Sequence, residues 1–565
     1  MTNDSRQARI ISAAAFILAV GAAIFLRFYD LAIKPLHHDE GVNSFFLLNL
    51  ARSGQYAYNP ENFHGPTLYY FSLALLKLMG ESEVMLRTWP ALCGVASVAI
   101  IWLLRRWLGI VGTPATAWAL ALSPGLVYYS RDFIHEMSFG LFTVGIVVGA
   151  WRYFATKRFV WMVLLSVSAG LLFATKETAL HTVAVLVAAI FCAMVWDIGR
   201  RQIVERRFGI GRFFSEFWTD LTKNVRTLHF IVFACWSVWD VWRRPTEKRR
   251  NPIRFFLDWW QQISKQLPDI DYLISALVIF LAINVIFYSS FFTNWKGVTD
   301  AVKSIFLWTS RGSHGDEHAH AFVYYIGILI KLELPLVVGS IIGGLIALWR
   351  GTRFGLFLFA WASGITIGYS IVRYKTPWLA LSMFIPMAML TGYAIQEVYS
   401  LLRSGVLRVV WIAAVLLAAI PCARMAWDVN LKLYDDNNNT RGYFKSIGER
   451  LKLRAYSDTQ YGYVYAQTDR NILDLVKVVN DVADKQLDPN LSIHIASPEY
   501  WPLPWYFRNY QIVGFGTVPG ENFSLPVLIS SITQEPEISA QFADSYTSDI
   551  YTLRPGVQLV LFVKR

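Results

Sequence analysis

Stretches of about 20 apolar residues, each closed by Lys or Arg, recur along this chain, and that length is what a helix needs to cross a bilayer. The first, Ile11 to Tyr29, follows Arg6 and Arg9. Ten more fall near residues 84–104, 113–130, 136–153, 159–175, 179–196, 271–291, 321–349, 354–372, 376–395 and 407–425, making eleven. Only 16% of the 565 residues are charged, where a soluble protein carries about 25%. The expected fold is therefore mainly α, a polytopic membrane protein. The first run lacks a convincing small-residue cleavage site, so it reads as a retained anchor with a cytoplasmic N-terminus.

Charge gives the orientation. Arg105–Arg106, Arg152 to Arg158, the basic loop 198–270, Arg350 to Arg353 and Arg403 to Arg408 fall on one side, as the positive-inside bias requires. The 30–83 and 293–320 loops and everything after 426 fall on the other. Residues 1–425 are thus expected to form the transmembrane domain and 426–565 an extracytoplasmic mixed α/β domain, in the inner (plasma) membrane. The net charge of +12 is spread over inside loops and points to anionic lipid headgroups, not nucleic acid. The four cysteines are scattered, without metal-ligand spacing. TLYYFSLALLKLM at 67–79 is too short to span and reads as an interfacial helix. Residues 228–242 read as a Trp-rich interfacial helix, with a re-entrant or spanning element as the alternative. Beyond 426, DDNNN at 435–439 reads as a polar linker, ILDLVKVVNDVADK as a helix, and LSIHIAS, YQIVGFG and VQLVLFV as strands.

The chemistry concentrates on the outer face. HHDEG at 37–41 puts His38, Asp39 and Glu40 just beyond the first span. Asp39, with Glu40 as competitor, suits a proton acceptor at the membrane surface; a helix N-cap and a metal site are the other readings. SRDFIHE at 130–136 adds Arg131, Asp132, His135 and Glu136, with Asp132 and Glu136 on one face if helical; Arg131 and Asp132 could equally close a helix end. ATKET at 174–178 supplies Lys176 and Glu177, and SIVRYKTPW at 370–378 supplies Lys375. External basic residues run against the charge bias and so invite an anion such as a lipid-linked phosphate, for which Arg87, Arg131, Lys176 and Lys375 are the candidates; snorkelling to ordinary phospholipid is the alternative. His64 precedes the interfacial helix, and SPEYWPLPWYFRNY at 497–510 places Trp505 among aromatics suited to a sugar ring or to a packed corner. GSHGDEHAH at 312–320 holds His314, His318 and His320, weak candidates for a divalent metal that nothing else in the chain demands. No Walker loop, dinucleotide-binding glycine pattern or zinc-protease motif is present, so a transferase of this kind needs a donor other than a cytoplasmic nucleotide-sugar.

HHDEG, FHGPTLYY, the Arg87–Pro90 stretch, SRDFIHE and LLFATKE together resemble the membrane glycosyltransferases of the GT-C fold, family 39, over roughly residues 8–425. The nearest likeness is to dolichyl-phosphate-mannose–protein mannosyltransferase-like and flippase-activity-associated proteins; YVYAQTDRN, the 497–510 segment and YKTPW look like marks of that branch. The resemblance implies inverting transfer of a sugar from a polyprenyl-phosphate donor to a protein, lipid or glycan acceptor outside the cytoplasm. It implies Asp39 as base, Asp132 as the second acidic motif and Lys176 beside the donor phosphate. Glu177 stands where the family favours glycine, and His64 where aminoarabinose transferases have a KPP-type motif. A transporter or flippase for a lipid-linked sugar is the alternative, against which stand polar clusters gathered at one face and not near the midplane.

Overall fold

The computed structural model describes residues 3–61, 64–224, 270–314, 319–432, 462–520 and 523–565. The 228–242 segment and the 435–439 linker lie outside the described residues. Eight described helices are long and apolar enough to cross a membrane, nine if one bent pair counts as a span.

The N-terminal helix α1 (Asn3–Phe28) is followed by α2 (His38–Ser53) and α3 (Thr67–Met79). The next unit, Glu83–Leu122, comprises 40 residues, about 60 Å if straight and twice the bilayer core. It is broken instead. Helix α4 (Glu83–Ala99) passes through a 3-10 turn into α5 (Arg105–Leu122), which is interrupted at Gly109 (φ 80°, ψ −178°). The Gln396 side-chain oxygen accepts from the Val111 and Gly112 amides at 2.8 and 3.3 Å, capping the restarted helix. Contacts with α1 show that the chain reverses there. Ser12 donates to the Ile110 carbonyl and Arg27 to Leu120 and Ala121, so α5 runs parallel to α1. Phe16 meets Trp102 whereas Arg27 lies beside Gly94, so α4 runs antiparallel to α1. The unit is a helical hairpin, as the two expected spans require.

Helices α6 (Pro124–Ser130), α7 (Glu136–Thr156), α8 (Phe159–Phe173), α9 (Ala179–Val204) and α10 (Ile210–Asn224) follow, and α11 (Ile270–Tyr288) packs on α8. The run expected as one span at 321–349 is divided into Tyr324–Leu332 and Leu334–Arg350, meeting at 106°. Glu333 sits at the corner and Pro335 restarts the chain, a residue that forbids a continuous helix through it. Arg353–Ile371, Leu381–Leu401 and Gly405–Asn430 complete the bundle.

Beyond it, a five-stranded sheet has the order β2-β1-β3-β5-β4, with β1 Ser492–Ile495, β2 Gln511–Phe515, β3 Val527–Ser531, β4 Tyr546–Arg554 and β5 Val557–Lys564. β1 is parallel to β2 and β3; β5 is antiparallel to β3 and β4. The helix Asn471–Gln486 covers one face through Ile472, Leu475 and Val479, the spacing expected from the sequence. The small domain is tied to the bundle by backbone-directed contacts: Arg470 donates to Ile33 O at 2.7 Å, Gln467 to Pro35 O at 3.0 Å, and Tyr506 accepts from Leu36 N at 3.0 Å.

Helix Leu381–Leu401 meets α5 at backbone contact. A Cβ on Gly392 would lie 1.9 Å from Thr116 Oγ1 and 2.7 Å from Gly112 O. Small residues permit such approach between membrane helices. Gly392→Val should therefore force the pair apart and cost about 1–3 kcal/mol or more, read as a lowered Tm of the detergent-solubilised protein; an unchanged Tm would contradict this packing.

Candidate functional site

The HHDE motif is a helix start. His37 Nδ1 accepts from the Asp39 amide at 3.1 Å and Glu40 accepts from the His37 amide at 2.9 Å, a reciprocal capping box that opens α2. This places the two carboxylates on opposite fates. Glu40 turns inward, fully buried, and takes Arg87 Nε and Nη2 at 2.7 Å each, with the Phe133 amide at 2.8 Å. Asp39 turns outward, its side chain 36% exposed, with Oδ1 3.1 Å from His38 Nδ1. Burial works to raise the Glu40 pKa, but the Arg87 charge and hydrogen bonds, with Lys34, outweigh it and keep the group ionised. Around Asp39, burial also pulls upward; hydrogen bonding to His38 and the charges of His37, His38 and His64, when protonated, hold the carboxyl down to about 2. Its exposure lets water moderate that shift.

Three of the four expected phosphate contacts are directed elsewhere. Arg87 is buried, and its donors are spent on Glu40 and on the carbonyls of Leu31, Lys34 and Pro35. Arg131 donates to Leu26, Arg27, Tyr29 and Asp30 carbonyls, closing the end of α1. Lys375 is buried and donates to the His320 and Val372 carbonyls. Each cation satisfies helix-end or loop oxygens that would otherwise be orphaned, which is the helix-closing reading of Arg131 and not the anion-binding one. Asp132 is likewise a buried ion-pair partner, of Lys34, whose Nζ also lies 3.9 Å from the Tyr128 ring centroid. Burial pushes Asp132 up and Lys34 down, each toward its neutral form, and their attraction opposes both. Glu40 and Asp132, both expected to take part in chemistry, are each engaged in a buried ion pair. Lys34 was missed. A lysine five residues after the first span's end at Tyr29, on the side the charge bias leaves poor in cations, is the kind of exception that would have flagged it.

The remaining residues do gather. A short antiparallel bridge pairs His64 with Lys176, and the Gly65 amide donates to Thr175 O at 3.0 Å. The His64 and His135 rings stand 4.7 Å apart, with His135 Nε2 3.2 Å from Gly65 O. Burial, with His64 and Lys176, lowers the His135 pKa and leaves it neutral. Lys176 Nζ donates to Glu136 at 2.7 Å; that carboxylate outweighs burial and raises the lysine pKa. Glu177 points away, accepting from Tyr58 at 2.8 Å, and burial pushes its pKa to about 7. Tyr374 was also missed, although YKTPW contains it. Burial raises its pKa, Lys176 opposes, and Asp39 and Glu136 add to the rise. Trp505 is 1% exposed in an apolar cluster with Leu47 and Leu48: the packed corner, not the sugar platform. Among the described residues no group of three or more His, Cys, Asp or Glu could hold a metal ion; His318 lies outside them and His320 stacks on Tyr324.

Comparison with known proteins agrees with this architecture. Residues 63–214 match the family model described as dolichyl-phosphate-mannose-protein mannosyltransferase. That segment carries His64, His135, Glu136, Lys176 and Glu177, while Asp39 lies outside it. The structure is similar to ArnT from Cupriavidus metallidurans in the apo state, at 15% identity over 96% of this chain and 97% of that one, with a TM-score of 0.59. It is similar to the same protein bound to undecaprenyl phosphate, at 16% identity over 96% and 97%, with a TM-score of 0.53. It is also similar to the archaeal oligosaccharyltransferase AglB from Archaeoglobus fulgidus in complex with an inhibitory peptide and a dolichol-phosphate, at 12% identity over 97% of this chain and 74% of that one, with a TM-score of 0.51. No curated protein sequence matches. The chain is a multi-pass membrane protein with the GT-C fold of membrane glycosyltransferases. Within that fold it resembles the family 39 branch, as its sequence motifs imply.

The Glu40–Arg87 assignment is testable. Arg87→Ala should leave a buried carboxylate unpaired and cost about 3–5 kcal/mol, and Arg87→Lys should not rescue it, because lysine offers three donors and no fork. A lowered Tm in both variants is expected; an R87K protein of normal Tm with weakened binding of undecaprenyl phosphate would mean that Arg87 faces the phosphate after all.

Proposed function

We propose that this chain transfers a sugar from a polyprenyl-phosphate donor to an acceptor hydroxyl on the extracytoplasmic side, with inversion, and that Asp39 is the general base. The observation that carries the reading is the division of labour in the first turn of α2. The Glu40 carboxylate is locked by Arg87, and its neighbour Asp39 is ionised and partly open to solvent beside His38. The likeness to proteins solved with undecaprenyl phosphate and dolichol-phosphate supports the donor class.

In the proposed step the acceptor oxygen forms its bond to the anomeric carbon as the carbon–oxygen bond to phosphate breaks. The bonding pair leaves with the phosphate and the acceptor proton passes to Asp39. The departing phosphate is a weak base and needs no acid, so one carboxylate and a cation are sufficient. Lys176 is the cation proposed to meet it: its ammonium is 12% exposed and held by a single carboxylate, Glu136, which the phosphate would share or replace. Arg87, Arg131 and Lys375, engaged elsewhere, hold the frame. The partners implied are membrane lipids, the lipid-linked sugar and an acceptor. The proposed setting is the inner (plasma) membrane with a cytoplasmic N-terminus, residues 1–425 forming the membrane domain and 426–565 the outer one.

Asp39→Asn should reduce the single-turnover rate with undecaprenyl-phosphate-mannose by ~10² to 10⁴ while leaving donor binding intact. Lys176→Ala should instead raise the donor Kd by about 10- to 100-fold. A folded D39N protein that keeps more than about a tenth of the rate while E40Q abolishes it would move the base to Glu40. For orientation, protease reaching only the outer face of intact inner membrane should cleave between 432 and 462 and release the sheet domain; protection there would overturn the proposed sidedness.

A further inference from the structure

Trp505 is buried, but four residues earlier the same segment presents a different surface. Trp501 is half-buried, and its ring stands edge-on to His38 at 6.5 Å and to Phe45 at 5.9 Å, with Tyr500 at 5.2 Å. Tyr500 continues the wall to Phe515 at 4.8 Å. Phe45 and Phe515 are each 45% exposed, and both line a cavity of about 220 Å³ with Arg52 and Arg508. An aromatic wall thus runs from this cavity to the imidazole that touches Asp39.

The wall is held against α2 by a close approach. A Cβ on Gly41 would fall 2.7 Å from Pro502 Cα and 3.2 Å from the Trp501 ring, so only glycine at 41 lets the 501–502 segment sit two residues from Asp39. A residue on the C-terminal domain therefore borders the reacting carboxylate, and its position is set by one hydrogen-for-methyl difference in the first external helix.

The geometry points to Trp501 as the acceptor-positioning residue of this site, and to a saccharide ring as the acceptor it positions; the inference rests on the transfer proposed above. A pyranose has an apolar C–H face and a rim of hydroxyls. Indole, with its negative π-face, matches the first. The partly exposed His38 imidazole and Asp39 carboxylate, 37% and 36% accessible, match the second. Stacking on Trp501 would direct a hydroxyl to Asp39 while the rest of the glycan follows Phe45 and Phe515 toward the arginine-lined cavity.

The test uses the full chain in nanodiscs with 5-fluorotryptophan, the residue-501 resonance identified by its loss in W501F. Mannobiose should shift that resonance without any donor present, and a Ser/Thr peptide should not; a shift with the peptide alone, or with neither, overturns the inference. With undecaprenyl-phosphate-mannose as donor, Trp501→Ala should raise the KM for mannobiose about tenfold, leave donor Kd unchanged, and be rescued by Trp501→Tyr. Gly41→Ala should raise the same KM and broaden or move the 501 resonance while leaving donor Kd unchanged. Equal loss of donor binding in W501A would make Trp501 merely structural and overturn the role. A mannobiose-induced shift at 501 in a protein whose D39N variant still transfers would instead fail the catalytic reading and leave the subsite standing.

Discussion

The buried pair of Glu40 and Arg87 is the contact on which the outer half of the molecule depends. The carboxylate belongs to α2 and the guanidinium to α4, and the two are joined by paired 2.7 Å hydrogen bonds with no exposure to water. The other nitrogen donors of Arg87 hold the 31–35 loop, and Glu40 also takes the Phe133 amide. One ion pair therefore fixes the 31–40 loop, the start of α2, α4 and the 131–136 segment relative to one another. A buried pair of this kind is weak evidence for net stability but strong evidence for a specified geometry, because breaking it strands a charge. That geometry is what leaves Asp39 outside while its neighbour is inside.

The same device recurs. Arg27, on α1, closes the end of α5, and Arg131, just beyond α6, closes the end of α1. The last carbonyls of a helix have no intrahelical partner, and at the edge of a bilayer they cannot all rely on water. Arginine, always charged and with five donors, serves several carbonyls at once. Three of the external cations therefore have architectural duties before any ligand arrives. Lys176, bound by one carboxylate, differs in kind.

The C-terminal domain is more than an appendage. Tyr465 O lies 2.8 Å from His37 Nε2, Gln467 receives from Tyr128 at 3.2 Å, Tyr506 binds Leu36, and Trp501 packs on Gly41. The segments YVYAQTDRN, SPEYWPLPWYFRNY and YKTPW, far apart in sequence, converge around HHDEG.

Length and hydropathy determined the membrane-spanning character, because the cost of exposing polar backbone to lipid is local and additive along the chain, and residue periodicity determined the α/β nature of the C-terminal part. The HHDEG, HGP, FIHE and TKE motifs were legible as one cluster for a related reason: polar groups at helix ends must lie on the face the alternation assigns them. What the sequence could not contain was direction. Asp39 and Glu40 are adjacent carboxylates with the same composition and charge, and only the position of Arg87, 47 residues away, turns one inward. Likewise Trp501 and Trp505 share a segment, yet one faces His38 and the other is sealed behind Leu47. The pairing of Lys34 with Asp132 has the same origin. Which partner a buried polar group finds depends on chain segments brought together from far away, and that was decided by the tertiary structure alone.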